Sequence, residues 1–168
     1  MVLAKVTLPT LAPGAVLDCE TRATCFAMGY AEYTRDNKIN GSIPYYKKAL
    51  DPNTVIDANE VVKDPNGNDH NPLRYTDSGI MTYIGHSYCN QSDPDFAQAN
   101  KFFNDAIAIY ESNPGTEYFY TYRWAGLCYM RQGNCQAAEA LFTAGRDDEN
   151  LERFRGTYED LINQVHES

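Results

Sequence analysis

The chain has 168 residues, of which 43% are hydrophobic and 12% aromatic, and its aromatic content is dominated by 13 tyrosines. This apolar content is sufficient for a packed domain and excludes an intrinsically disordered chain, despite a formal net charge of −9. Because 14 Lys and Arg stand against 23 Asp and Glu, the charge balance argues against nucleic acid as the main partner. No apolar run reaches about 18 residues, so we expect no membrane-spanning helix.

Residues 1–17 predict an extended arm that packs on the element after it. Hydrophobic residues alternate with others from Val2 to Leu8, as in a short strand, before Pro9 breaks the regular structure. The stretch lacks the charged start, the long apolar segment and the cleavage site of a secretory signal. Asp18 is the expected N-cap of the first helix.

Three pairs of helical segments follow, and each pair has a glycine and an alanine where two helices would cross closely. Residues 18–56 carry Phe26, Gly29, Tyr30 and Tyr33 on a first helix and Ser42, Tyr46, Ala49 and Leu50 on a second. Residues 78–114 carry Met81, Ile84, Gly85 and Tyr88, then Ala99, Phe103 and Ala106. Residues 117–150 carry Tyr122, Ala125, Gly126 and Tyr129, then a turn at Gly133 and Asn134, then Ala138, Phe142 and Gly145.

In order and spacing, these residues resemble the tetratricopeptide repeat, a unit of two antiparallel helices. The pattern is closest to the family in residues 117–150 and most degenerate in residues 18–56. The resemblance implies an all-α fold, in which helical hairpins stack into a right-handed superhelix (an α-solenoid), with residues 1–168 as one domain. It also implies a non-enzymatic interaction module that needs no cofactor.

Residues 57–77 interrupt the repeats and predict an inserted loop. The cluster Asp64, Asn66, Asn68 and Asp69 faintly resembles a calcium loop, but Tyr75 stands where that motif needs a glutamate. We therefore favour an ordinary polar turn, and the three histidines have no metal-ligand spacing either.

Residues 151–166 predict a terminal capping helix. Its apolar positions recur at helical spacing, namely Leu151, Phe154, Tyr158, Leu161, Ile162 and Val165. This stripe would cover the last hairpin, and the opposite face would meet water.

The five cysteines predict free thiols. Cys19 and Cys25 would lie about 9 Å apart along one helix, which is too far for a disulfide. Cys128 and Cys135 flank a turn and are interpreted as small core residues, and Cys89 stands alone. Free thiols, an odd count and the missing signal together favour the cytoplasm, and the alternative is a processed secreted or periplasmic chain.

His86, Ser87 and Cys89 are close in sequence, which raises the question of a nucleophile beside a base. Neighbouring helical positions do not face each other, so we interpret this stretch as the polar face of a helix. We predict that the chain is not an enzyme and has no catalytic or metal site.

The resemblance implies that the first helices of the hairpins line a concave groove, which takes a peptide segment or a partner helix. The groove positions are Arg35, Thr82, His86, Asn90, Tyr120, Arg123, Trp124, Leu127, Met130 and Arg131. Some family members clamp a peptide's terminal carboxylate with Lys and Asn, but this chain has Ala27, Ala31 and Tyr83 at such positions, which argues against that mechanism.

Because three arginines and His86 would project into the groove, we expect a positive local potential and a protein partner with acidic and apolar residues. The alternative is a structural subunit, in which the groove is filled by the chain's own arm, by the insert or by a second copy.

Overall fold

A computed structural model describes residues 19–35, 39–57, 59–61, 63, 69, 75–113 and 120–167. The helices in these residues are α1 (Arg22–Thr34), α2 (Ile39–Ala49), α3 (Asp77–Cys89), α4 (Phe96–Ser112), α5 (Tyr120–Arg131), α6 (Cys135–Asp147) and α7 (Arg155–Glu167). A 3₁₀ helix, Glu149–Phe154, precedes α7. In the described part of the chain, extended pairing is limited to isolated bridges, Thr21 with Val55 and Lys63 with Asp69. The prediction of an all-α fold is confirmed.

Consecutive helices pack as three hairpins, α1 with α2, α3 with α4, and α5 with α6, and α7 packs on α6. Each hairpin also packs on the next one, since α2 contacts α3 while α5 contacts both α3 and α4. A chain of neighbour contacts of this kind buries an apolar face that no single hairpin could bury alone.

The same contact between a glycine and an aromatic ring occurs in all three hairpins. A Cβ atom placed on Gly29 would lie 2.6 Å from the Tyr46 ring, and one on Gly85 would lie 3.0 Å from the Phe103 ring. At Gly126 it would collide with the buried ring of Phe142. A side chain at Gly29 or Gly126 would therefore force a shift of the packed ring or of the helices, and one at Gly85 would be tightly packed.

Two helix ends test the predicted turn residues. Gly133 adopts a φ of 72° between α5 and α6, and Asn134 caps α6 by accepting a hydrogen bond from the Ala137 amide at 3.1 Å. This predicted turn is confirmed. The prediction of Asp18 as the N-cap of α1 is wrong, because Thr21 forms a capping box with Thr24 at the start of the helix.

The terminal element differs in part from the predicted helix. Residues 149–154 form a 3₁₀ helix, and the Asp148 carboxylate caps its start by accepting a hydrogen bond from the Asn150 amide at 2.8 Å. The α-helix begins only at Arg155. The predicted inner face is buried, with Tyr158, Leu161, Ile162 and Val165 in contact with the last hairpin.

The prediction of free thiols is wrong for four of the five cysteines, since Cys19 bonds to Cys25 and Cys89 bonds to Cys128. Cys19 lies before α1 rather than on it, so its Cα comes within 5.1 Å of the Cys25 Cα. Cys89 and Cys128 end up on adjacent helices with their Cα atoms 6.0 Å apart, although 39 positions separate them in sequence. Cys135 is the free cysteine. The argument from thiols for the cytoplasm therefore no longer stands.

Several predictions fall outside the described residues, among them the arm in residues 1–17 and most of the acidic cluster in the insert. Of that cluster, Asp69 is described, and its carboxylate pairs with the Lys63 ammonium at 2.6 Å. The described residues contain no group of His, Cys, Asp and Glu that could hold a metal ion. None of the described helices is both long and apolar enough to cross a membrane.

Candidate functional site

One side chain from the first helix of each hairpin contributes to a continuous row, which we call the aromatic row and define as Tyr33, His86 and Trp124. The Tyr33 hydroxyl lies 2.9 Å from His86 Nδ1, and this contact joins α1 to α3. The ring centroids of His86 and Trp124 are 4.1 Å apart, which joins α3 to α5. All three side chains are half-buried, so each presents part of its surface to solvent.

Two further tyrosines pack against the aromatic row. Tyr83 is buried beneath it, with its ring centroid 5.2 Å from that of Trp124 and 5.3 Å from that of Tyr33, in edge-to-face geometry. Tyr120 lies one helical turn before Trp124, at 4.8 Å between centroids. Edge-to-face pairs are a favourable arrangement of aromatic rings, so the buried tyrosine holds the half-buried rings in place.

The aromatic row is supported by a series of contacts between α3 and α5. The hydroxyls of Thr82 and Thr121 form a buried hydrogen bond at 2.7 Å on one side of the His86–Trp124 contact. The disulfide Cys89–Cys128 lies one turn beyond that contact. Further along, Arg131 donates hydrogen bonds to the Cys89 carbonyl at 2.6 Å and to the Asn90 amide oxygen at 2.8 Å. The α3–α5 pair is therefore joined along most of its length.

Burial keeps Tyr33 and His86, the two titratable residues of the aromatic row, uncharged. Desolvation, followed by the nearby charge of Arg131, lowers the pKa of His86 to about 4, so the imidazole is neutral at pH 7. Desolvation also raises the pKa of Tyr33, and the neighbouring tyrosines act in the same direction. The contact between Tyr33 and His86 is consequently a neutral hydrogen bond.

The three arginines of the predicted groove are less available to an acidic partner than the sequence predicts. Arg35 pairs with the buried carboxylate of Glu32 at 3.2 Å, and Arg131 donates to α3 as described above. Arg123 lies with its guanidinium carbon 5.8 Å from the Tyr120 ring centroid, and its buried Nε has no hydrogen-bond partner among the described residues. The expectation of four positive groups in the groove is therefore wrong, since His86 is neutral and a buried acid compensates Arg35.

The remaining predicted groove residues divide between support and core. Thr82 is fully buried and cannot line an open groove, and Asn90 accepts from Arg131 at the end of α3. Leu127 and Met130 are half-buried and pack against the core of the third hairpin rather than joining the aromatic row. Tyr33 and Tyr83 were missed as site residues. Their helical spacing marks both as inward-facing, but it cannot show that they meet rings from other hairpins.

The cluster of His86 and Ser87 contains no nucleophile beside a base. Ser87 is buried and its hydroxyl lies 3.0 Å from that of Ser42, on a different side of α3 from the Tyr33–His86 contact. A cavity of about 360 Å³ lies elsewhere, at the end of the first hairpin. It is lined by Cys19, Glu20, Lys48, Asp51, Asn53 and Thr54.

Comparison of the chain with protein-family models, with curated proteins and with solved structures finds no match.

Proposed function

We propose that this chain is a non-enzymatic interaction module of the tetratricopeptide type, a scaffold or adaptor that binds a peptide segment or a partner helix. The observation that carries the proposal is the aromatic row, because side chains from three successive hairpins meet there and remain partly open to solvent. Rigid aromatic side chains bury a large area on binding at a low cost in conformational entropy.

The partner segment is expected to be mainly apolar, with one acidic group. Its apolar side chains would pack on Tyr120 and Trp124, and a carboxylate would meet the guanidinium of Arg123, which lies beside the Tyr120 ring. An exposed ion pair contributes only about 0.2 to 1 kcal/mol, so the aromatic contacts must supply most of the affinity. Because His86 is neutral at pH 7 and Arg35 is compensated, we expect a single acidic residue to suffice.

The test begins with a displayed library of random peptides, selected on the folded chain. Trp124 is the single tryptophan of the sequence and belongs to the aromatic row, so its fluorescence reports directly on binding there. Synthetic peptides from the selection should change Trp124 emission in a saturable way, and Tyr120→Ala should weaken their binding.

Tyr88→Ala is the matched control, because Tyr88 also lies on a first helix but stacks on Phe102 of α4, away from the row. Its loss should leave the affinity unchanged. If selected peptides bind without changing Trp124 emission, or bind Tyr120→Ala as well as the unsubstituted chain, the row is not the binding site.

A second candidate, self-association, is favoured by a different observation. Val55 and Ile56, just before the insert, and Val61 within it are 59%, 65% and 55% exposed, which is unusual for three β-branched residues so close together. A second copy could cover them. Light scattering should then show a dimer that Ile56→Asp converts to a monomer, whereas a monomer at all concentrations would exclude this candidate.

A further inference from the structure

Cys89 and Cys128 occupy a particular place in the fold, at the C-terminal end of α3 and on the facing turn of α5. Each follows a residue of the His86–Trp124 contact by about one helical turn, so the covalent bond and the ring contact join the same two helices in the same register. Arg131 ties the Cys89 carbonyl to α5 on the other side of the bond.

The two sulfur-bearing residues are almost completely inaccessible, with exposures of 2% for Cys89 and 1% for Cys128. Thiol–disulfide exchange requires in-line attack by a thiolate on one of the sulfurs, so a buried bond is shielded from reductants in the folded state. This shielding is the property of a permanent structural bond, and it distinguishes the pair from an exposed redox switch.

We propose that the Cys89–Cys128 disulfide is a permanent clamp that sets the α3–α5 contact and thereby the aromatic row, and that the chain acquires it in an oxidising compartment. The clamp acts on the same surface as the proposed binding function, but its effect on the row does not depend on any ligand. The Cys19–Cys25 bond fits the same compartment, since persistent structural disulfides are rare in the reducing cytosol.

The bond forms by exchange with the disulfide of a thiol–disulfide oxidoreductase. A thiolate of Cys89 or Cys128 attacks the donor disulfide to give a mixed disulfide, and the second cysteine then displaces the donor. The chain gains one S–S bond and loses two thiol hydrogens and two electrons, which leave the donor as a dithiol. Because both cysteines are buried once folded, this exchange must precede the completion of α3–α5 packing.

The first part of the test counts thiols in the full chain after secretion from a host with an oxidising export pathway. Alkylation under denaturing conditions, followed by mass spectrometry, should label one thiol, Cys135, out of the five cysteines. Peptide mapping without reductant should recover the Cys89–Cys128 cross-link. Labelling of five thiols, or recovery of a different pairing, would overturn the proposal.

The second part measures Trp124 emission without any ligand. Its outcome therefore tests the clamp alone and does not depend on the binding proposal. The double variant Cys89→Ala with Cys128→Ala should shift the emission to longer wavelength, because Trp124 loses its fixed packing against His86. Cys19→Ala with Cys25→Ala removes the other bridge and should leave the emission unchanged, as should Cys135→Ser.

If the double variant folds and its emission equals that of the unsubstituted chain, the clamp does not set the row and the proposal fails. If the double variant does not fold, Cys89→Val with Cys128→Ala, which restores part of the lost side-chain volume without the bond, is measured in its place. An emission equal to that of the unsubstituted chain in this variant would equally refute the clamp.

Discussion

The glycine at the crossing of the third hairpin allows a sharp test of the packing. A methyl group on Gly126 would collide with the Phe142 ring, which is fully buried. Gly156 provides a matched control, because it is also helical, is exposed, and has nothing within 4 Å of the position that its Cβ would occupy. The two sites differ mainly in the space around the added methyl group.

The expected magnitudes follow from two opposing effects. Replacing a helical glycine by alanine stabilises a helix by about 0.8 to 1 kcal/mol, and this gain applies at both sites. Overpacking costs about 1 to 3 kcal/mol, and it applies only at Gly126. The free energy of unfolding of Gly126→Ala should therefore lie about 1 to 3 kcal/mol below that of Gly156→Ala. For a domain of this size the difference corresponds to roughly 2 to 12 °C in Tm.

Thermal and urea unfolding, followed by circular dichroism, measure this difference directly. Gly156→Ala should unfold at a slightly higher temperature than the unsubstituted chain, and Gly126→Ala clearly below Gly156→Ala. Equal stabilisation by both substitutions would show that Gly126 does not face Phe142, and the proposed crossing of α5 and α6 would be incorrect.

Three other predictions concern the interior. Because burial lowers the pKa of His86 from 6.5 to about 4, the folded state resists protonation of this imidazole. The free energy of unfolding should therefore fall as pH drops below about 6.5, by at most ~1.4 kcal/mol per pH unit. Urea unfolding at several pH values should show a smaller slope in His86→Gln. Thr82→Val and Thr121→Val should be coupled in a double-mutant cycle, with a coupling free energy of unfolding of roughly 0.5 to 3 kcal/mol. The reason is that each single variant leaves one buried hydroxyl without its cross-helix partner. Independent effects of the two substitutions would contradict the hydrogen bond. A disulfide that closes a longer loop restricts the unfolded chain more, so the two bridges should contribute unequally to stability. In chemical denaturation, loss of Cys89–Cys128, which spans 39 positions, should destabilise by about 4 kcal/mol, and loss of Cys19–Cys25, which spans 6, by about 2 kcal/mol. The reverse order would contradict this dependence on loop length.

The hairpins could be predicted from sequence because their determinants are local. Gly29, Gly85 and Gly126 each precede an aromatic residue of the next helix by a similar number of positions, and the structure pairs each glycine with that ring. Helical spacing likewise identified the buried face of α7, including Tyr158 and Leu161. Features of this kind depend on the periodicity of the helix and on the size of the side chain, and both are visible in one sequence.

The disulfides and the state of the charged groups could not be predicted in the same way. The Cys89–Cys128 bond depends on how two hairpins stack, and Cys19–Cys25 depends on the helix beginning at Arg22 rather than near Asp18. His86 is polar in sequence, but the rings packed around it remove the solvent that would stabilise its charge. Contacts between distant segments thus determine the Cys89–Cys128 bond and the charge of His86, whereas the exact start of α1 determines Cys19–Cys25.

The most direct test of the aromatic row as the binding surface is to map a selected peptide by NMR. Amide chemical shifts of the folded chain are recorded while the synthetic peptide is added. The largest changes should occur around Tyr33, His86 and the segment 120–124, which come from three different hairpins. Changes concentrated instead at Val55, Ile56 and Val61, with the row unaffected, would contradict the proposed function.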